Sequence, residues 1–448
     1  MPAGLLHIAK TFARGIRPPA HKESTRALPI RRLPFAPELV VPLQQHTGSP
    51  SVPCVKVGQE VVRGEPIAKA NGFMSVPMHA PVTGVVASIE LRPTSRGEMQ
   101  PAIVIHTYMG ASQEVLYSAP QDVDAMTPNE LVAAVRETGV VGLGGAAFPT
   151  HVKLVVPEGR RIDTVLVNGC ECEPYLTTDH RVMLECADDI HAGIQIVQKA
   201  VGATRAIIAT EDNKLDAVKS LNESRKKAST TVISVLKPQY PQGAEKLLIK
   251  ALLDREVPSG GSPADVGVAV LNVATLAQLG EILPRRQGLI ERVITITGPG
   301  VEHPGNYMVA LGTPLSFALK HAGLKPDAVQ VIFGGPMTGH SVADLDIPIT
   351  KGITGILVLT GAETAKRPTK IYPCIKCGYC IDACPIQLNP SRLGVLAQRG
   401  LYEAMESEFY LNDCFECGCC TYVCPSHIPL VQEFRIAKAM NRQRKTAQ

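Results

Sequence analysis

The stretch C-I-K-C-G-Y-C-I-D-A-C-P at 374–385 is matched by C-F-E-C-G-C-C-T-Y-V-C-P at 414–425, and each reads C-x2-C-x2-C-x3-C-P. No other feature restricts the fold as tightly. Of thirteen cysteines, nine fall between Cys374 and Cys424. In a large chain with no apolar secretory leader, such clustering points to metal in a reducing compartment rather than to disulfides. Zinc sites pair their ligands as two separated knuckles and have no use for a four-cysteine run ending in proline. Three thiolates at i, i+3 and i+6 instead wrap one iron–sulfur cube, and the fourth is carried onto the following segment.

In two-cluster ferredoxins that fourth cysteine ligates the other cluster. The duplication therefore assigns Cys374, Cys377, Cys380 and Cys424 to one 4Fe–4S cluster, and Cys414, Cys417, Cys420 and Cys384 to a second. Pro385 and Pro425 turn the chain away after the fourth ligand, and Cys419 reads as a spare thiol. The 29 residues between Cys384 and Cys414 hold helical sequence near 392–406, which suggests a helical ferredoxin module. Two linked clusters make a one-electron wire, and a wire needs a source.

At 448 residues the chain has room for two to four domains. An apolar fraction of 45% and a charged fraction of 19% describe a folded protein, and no apolar run is long enough to span a bilayer. A net charge of +4, 4% aromatics and no tryptophan give nucleic acid little to bind. Arg14, Arg17, Lys22, Arg26, Arg31 and Arg32 gather early, opposed by Glu23 alone. They read as a solvated, proline-rich arm, with docking to an acidic partner or a membrane surface as the sharper alternative.

From about 55 to 86, short apolar alternations split by Gly58 and Gly64 read as hairpins. They resemble the β-sandwich of biotinyl and lipoyl carriers. Phe73 stands where those carriers need a turn lysine, so the module reads as structural. Beyond 128 the pattern alternates. A helix is expected over 129–138, with others near 180–200, 214–227 and 243–254. Apolar runs at 165–168, 206–210, 232–236 and 268–273 read as strands covered on both faces. This is an α/β layer on a mostly parallel sheet. Residues 292–307 read as strand and turn, 314–322 as a helix, 361–370 as a linker, and the basic end from Arg435 as a solvated tail.

Two loops carry chemistry. G-L-G-G-A-A-F-P-T-H-V-K (142–153) has Gly142, Gly144 and Gly145 for close approach to a phosphate, with Lys153 to neutralise it. Taken alone, such a loop is as often a plain turn. N-G-C-E-C-E-P (168–174) interleaves Cys170 and Cys172 with Glu171 and Glu173. One loop with two thiols and no other soft ligand makes a poor metal site, and cysteines one residue apart make a strained disulfide.

Taken together, G-x-G-G-A-x-F-P, then N-x-x-E-x-E-P and L-N-V-A-T-L (271–276), resemble the flavin- and NADH-binding subunit of respiratory complex I. With F-A-R-G-I-R-P-P-A-H-K (12–22) and the duplicated cysteine run, nearly the whole chain resembles the RnfC family, one of the subunits of Rnf electron-transport complexes.

The resemblance implies four modules: an arm and barrel-sandwich β module (1–125), an α/β FMN- and NADH-binding domain (126–288), a β-grasp module (289–345) and, after a strand or linker (346–364), a two-cluster ferredoxin domain (365–448). It implies non-covalent FMN beside Asn168 and Cys170, with Glu171 and Glu173 near the nicotinamide ribose and amide of NADH. Gly142, Gly144, Gly145, Phe148 and Lys153 would serve the dinucleotide, and Gly243 with Glu245 the flavin. Asn272 and Thr275 would lie near the FMN phosphate, although a strand-end turn and helix cap explain both equally.

Three positions depart from the family pattern: Arg14 and Ala147 stand where glycine is usual, and Cys170 where complex I has aspartate. Ala147 is expected to crowd the dinucleotide. His151, inside the glycine loop, reads equally as a phosphate contact or a satisfied surface histidine.

The expected function is electron input from NADH through FMN and the two clusters to partner subunits. Among these would be an iron–sulfur subunit and membrane flavoproteins, with ferredoxin reached indirectly. The complex would be membrane-bound and ion-translocating, with this chain peripheral on the cytoplasmic side of the inner membrane. Hydride transfer to flavin needs positioning rather than a side-chain acid or base. The alternative is a carrier or scaffold subunit with a degenerate flavin pocket.

Overall fold

The computed structural model describes residues 11–447 apart from 96, 227–228 and 367–369. The first ten residues of the expected arm, the end of the helix expected over 214–227 and part of the expected linker lie outside the described residues.

The continuous apolar runs form a parallel four-stranded sheet in the order Thr231–Leu236, Arg205–Glu211, Thr164–Asn168, Val268–Asn272. Buried on both faces, these strands end together at the edge where Asn168 and Asn272 pair in register. The helix expected over 180–200 is two, Thr178–Glu185 and Ala187–Val201, broken at Cys186. Asp188 and Asp189 then open the second helix, where the helix dipole favours negative charge. That helix lies hard against Val273–Ile282. A Cβ on Gly193 would stand 2.1 Å from the Leu276 carbonyl oxygen, and one on Gly280 would stand 1.9 Å from that of Asp189. Only glycine permits this approach, and it fixes the helix that Asn272 caps.

The N-terminal module packs the sheet of Glu38–Pro42, Met99–Thr107, Gly84–Pro93 and Glu60–Val61 against that of Val52–Pro53, Pro66–Lys69 and Met78–His79. Leu39, Val61, Ile67 and Ile103 fill the space between. A mixed six-stranded sheet follows, built on the antiparallel pair Glu291–Thr297 and Gly305–Ala310. It also takes in Ile30–Arg32 from the arm and Gly355–Thr360 from the segment expected as a strand or linker.

Two ends expected as solvated are docked on the protein, although Arg14, Arg17, Arg26, Arg31 and Arg32 of the arm stay exposed. The arm is laid down on the protein: Phe12 and Ile16 are buried, Ile16 bridges to Tyr240, and the Lys22 ammonium is buried against Glu171. The C-terminal helix Leu430–Ala447 places Val431, Phe434 and Ala437 on one buried stripe against Leu393, Leu396 and Met405. Its lysines and arginines pair with Glu403, Glu406 and Glu416 rather than with solvent alone. Charge content hid an apolar stripe of period three. Residues 361–365 of the expected linker are a capped helix.

Candidate functional site

The eight ligand candidates fall into two groups of neighbouring thiols. Cys380 lies in electrostatic range of Cys377, Cys424 and Cys374, and Cys420 in range of Cys414, Cys417 and Cys384. Cys374, Cys377, Cys380 and Cys424 line one small cavity beside the helix Pro390–Gln398. Among the described residues no three His, Cys, Asp or Glu side chains converge on a single metal ion. Thiols standing around a void suit a cluster, whose soft irons each take one thiolate. Cys419, read as a spare thiol, is wholly buried, and its thiol donates to the Cys417 sulfur, holding Cys417 below the ordinary thiol range.

A second and far larger cavity, about 1300 Å³, opens at the strand ends where Asn168 and Asn272 sit. A typical ligand pocket holds roughly 300–1,000 Å³, so the residues here leave room for a flavin and part of a dinucleotide together. Gly144, Gly145, Asn168, Cys170, Glu171, Glu173, Gly243, Glu245 and Asn272 all reach its wall. The glycines fit a cradle: Gly145 has φ +108°, and a Cβ on Gly243 would meet the Cys170 carbonyl at 2.5 Å.

Five expected contacts, Gly142, Phe148, Thr275, Lys153 and His151, are not among the residues of this wall. Gly142 N–H donates to the Phe148 carbonyl, closing the glycine loop from within (2.8 Å). Thr275 Oγ1 accepts from Leu143 N–H (2.9 Å), so it holds the loop's shape from the next helix. The Lys153 ammonium pairs with Glu245 (2.8 Å) and the Val270 carbonyl (3.2 Å), which takes it from a phosphate-neutralising place. His151 is buried with Nε2 on the Phe73 carbonyl (2.9 Å), neither a surface nor a cleft residue.

The polar groups on the wall are largely engaged with one another. Asn168 donates to the Gly243 carbonyl (2.8 Å) and accepts from Cys170 N–H (3.1 Å), fixing the acidic loop over the sheet edge. The Glu171 carboxylate accepts from Asp179 N–H (2.9 Å) at the start of Thr178–Glu185 and lies 3.8 Å from the Lys22 ammonium. Glu173 accepts from the backbone N–H of Met337 (2.7 Å) and Thr338 (3.2 Å), while its burial pushes its carboxyl up. Burial also lifts the Cys170 thiol well above its ordinary range and Cys172 to about 12, so both are neutral thiols at pH 7. Asp179, on the same wall, accepts from Asn272 Nδ2 (2.6 Å). Burial first, then the neighbouring Glu171, raises its carboxyl to about 7. Sequence reading passed over Asp179, because a lone aspartate in a helix's first turn reads as a dipole contact.

The cleft and the second cysteine group are one place. Cys414 and Cys417 line the large cavity alongside Cys170, Cys172 and Glu173. Tyr240 stands between them, its hydroxyl donating to the Cys417 carbonyl (2.6 Å). It packs in one apolar group with Cys172, Met337, Cys417 and Cys419. The first cysteine group is turned outward: Cys374 and Cys377 are exposed, with Ile375 and Tyr379 beside them 67% and 58% exposed.

Both glycine departures fall on left-handed backbone, Arg14 at φ +72° and Ala147 at φ +48°. A methyl there costs roughly 1–2 kcal/mol over glycine. The Ala147 Cβ lies 3.2 Å from the place a Cβ on Gly352 would occupy.

Four family models match consecutive parts of the chain. They are the RnfC barrel sandwich hybrid domain (residues 10–109), the Nuo51 FMN-binding domain (135–281), the SLBB domain (293–340) and the 4Fe-4S dicluster domain (370–428). The C component of the proton-translocating ferredoxin:NAD(+) oxidoreductase complex of Clostridium ljungdahlii is 41% identical, over 97% of this chain and 94% of its own. The Na(+)-translocating counterpart of Acetobacterium woodii is 40% identical over 89% of each. A solved NAD+-reducing NiFe hydrogenase shares the fold, with a TM-score of 0.51 at 18% identity, covering 70% of this chain and 66% of that one.

Proposed function

Because the chain belongs to the RnfC family, a component of ion-translocating ferredoxin:NAD(+) oxidoreductase complexes, we propose that it is the electron-input subunit of such a complex. It would take electrons from NADH through FMN to the second cysteine centre, then the first, then a partner subunit. When bound, FMN and the 4Fe–4S clusters supply the change from a two-electron donor to single electrons. The observation that carries the reading is that Cys414 and Cys417 share one cavity with the C-E-C-E loop.

In this reading the chain's own residues do positioning work. Asn168, Gly243 and Cys170 hold the flavin edge in one place, and Gly144 and Gly145 admit phosphate close to the backbone. Glu171 and Glu173 are pinned by backbone donors, so they present fixed acceptors to a ribose or amide. Tyr240 and Cys172 fill the wall toward Cys417 and exclude water there. Cys374, Cys377, Cys380 and Cys424 hold the outlying cluster at the surface, where a partner can reach it. No helix among the described residues is long and apolar enough to cross a membrane, and we place the chain peripherally, on the cytoplasmic side of the inner membrane.

Anaerobically purified protein treated with one equivalent of NADH tests this directly. Bleaching of flavin and iron–sulfur absorbance together is expected. Clusters that stay oxidised with NADH present would mean a degenerate pocket and a wire fed by another subunit. The methyl of Ala147 on the cavity wall is the feature that would favour that outcome.

A further inference from the structure

The N-G-C-E-C-E-P loop has two sides. Cys170, Glu171 and Glu173 line the large cavity on one, and the N-terminal arm covers the other. Tyr175 N–H donates to the Ala20 carbonyl (2.8 Å), and the His21 ring stacks on that of Tyr175 with 4.8 Å between centroids. Thr177 Oγ1 donates to Thr25 Oγ1 (2.8 Å), and the Lys22 carbonyl accepts from Arg26 N–H (3.0 Å), closing a turn. Lys22 is therefore held from both sides. Its ammonium donates to the Glu171 carbonyl (2.5 Å) and stands 3.8 Å from the Glu171 carboxylate.

A second buried pair lies beside the first. Lys214 meets Glu211 at 2.5 Å, with side chains 3% and 1% exposed. Lys22 is in electrostatic range of Glu211 and Cys172, and Lys214 of Glu171 and Cys170. Two cations thus face two carboxylates directly behind the cavity wall. Burial draws Lys22 down, and Glu171 opposes it. Burial acts on Lys214 as well, yet Glu211 and Glu171 together hold that ammonium above its ordinary range.

The arm's hold on the loop does not need the Lys22 charge. Backbone bonds and the His21–Tyr175 stack already tie the two together, and the Glu171 carboxylate already accepts from Asp179 N–H (2.9 Å) and His180 N–H (3.3 Å). Apolar residues often replace a buried ion pair without loss of stability, so the charge calls for another account. A hydride carries two electrons and one proton, and its arrival leaves one negative charge in the cleft. A fixed cation in a water-poor site favours that charge. We propose that Lys22 is a positioning residue for the reaction in the cleft, holding the acidic loop from behind and raising the reduction potential of the bound flavin through its charge. The proposal rests on the flavin reading above.

The test uses the full-length, anaerobic, FMN-loaded protein and reads the two-electron midpoint of the bound flavin by equilibrium with a reference dye. Lys22→Met keeps the stem and removes the charge. At an effective dielectric of about 20, a unit charge ~10 Å away changes an equilibrium by roughly tenfold. For a two-electron couple that is a fall of about 30 mV. Lys22→Met by itself strands a buried carboxylate, so the same change is also made in a Glu171→Gln background, where the fall is expected again. His21→Ala removes the stack and keeps the ammonium, and its midpoint should match wild type. Hydrogen exchange at residues 14–25 should show the arm as protected in the Met variants as in wild type. A midpoint unmoved by Lys22→Met in both backgrounds overturns the proposal while bound FMN leaves the flavin reading standing. An equal fall in His21→Ala, or a fall that comes with an unprotected arm, also overturns it, because docking rather than charge is then the cause. A wild-type protein that takes up no added FMN sinks the flavin reading, and this inference with it.

Discussion

The two cysteine centres share a backbone and differ in everything around it. Lys376 and Glu416, Gly378 and Gly418, and Gln387 and His427 all take left-handed φ at matching places in the two copies. Yet Tyr379 is 58% exposed where its counterpart Cys419 is wholly buried against Cys417. The repeat sets the spacing of the thiols; the neighbours decide which group borders the large cavity and which faces outward. The residues that break the repeat are therefore the informative ones.

The sharpest way to break this comparison is to remove one ligand from each centre. Cys420→Ser should abolish reduction of the first centre by NADH, because the second stands between it and the cleft. Cys377→Ser should leave NADH reduction of the second centre intact. Electron paramagnetic resonance of each cluster reads the difference, and symmetric losses would sink the assigned order.

A smaller and graded effect should appear under an iron chelator or brief exposure to air. The centre of Cys374 and Cys377, open to solvent, should lose iron first, while the one behind Tyr240 and Cys419 persists. Iron content and visible absorbance followed in time will show one fast and one slow phase; a single phase would mean that burial does not separate them.

The smallest effect lies in the cleft that feeds the second centre. Asp179, raised to about 7, stays protonated in the folded chain where an unfolded carboxylate is already ionised. The folded state therefore binds the extra proton between the ordinary carboxylate range and about pH 7, and stability falls as pH rises through that window. Asp179→Asn should flatten this fall in thermal midpoint between pH 5 and 8 without altering either cluster's spectrum. An unchanged slope would place the titrating group elsewhere.

Much of this was legible in the sequence, for reasons that differ by region. The partition read from the spacing groups thiols that the fold also draws near one another, Cys380 with Cys374, Cys377 and Cys424, and Cys420 with Cys414, Cys417 and Cys384. The parallel sheet followed from apolar runs covered on both faces. Lys153 and Thr275 lie near the site in sequence but behind its wall in space, since a motif fixes chain position and not side-chain direction. The barrel's share in the cavity, through Gln44, His46 and Thr47, was invisible, because nothing at 44–48 marks a surface that matters only when Ala147 folds beside it. Arg14 and Ala147 registered as departures from a pattern; their positive φ gives the physical reason why that pattern prefers glycine.

The arm has a consequence for the order in which the protein is made. Its anchors lie far downstream: Glu171 for Lys22, Tyr240 for Ile16, Glu291 for Arg32, and the Ile381 carbonyl for Arg14. A ribosome delivers residues 12–32 well before any of these, so the arm can dock only in stages, first as the flavin domain supplies Glu171 and Tyr240 and later as Glu291 and Ile381 follow. Its last hold, on the helix Tyr379–Ala383, forms only once the first cysteine run has left the ribosome. A segment made well before its anchors thus completes its docking only after the first cysteine run has been made.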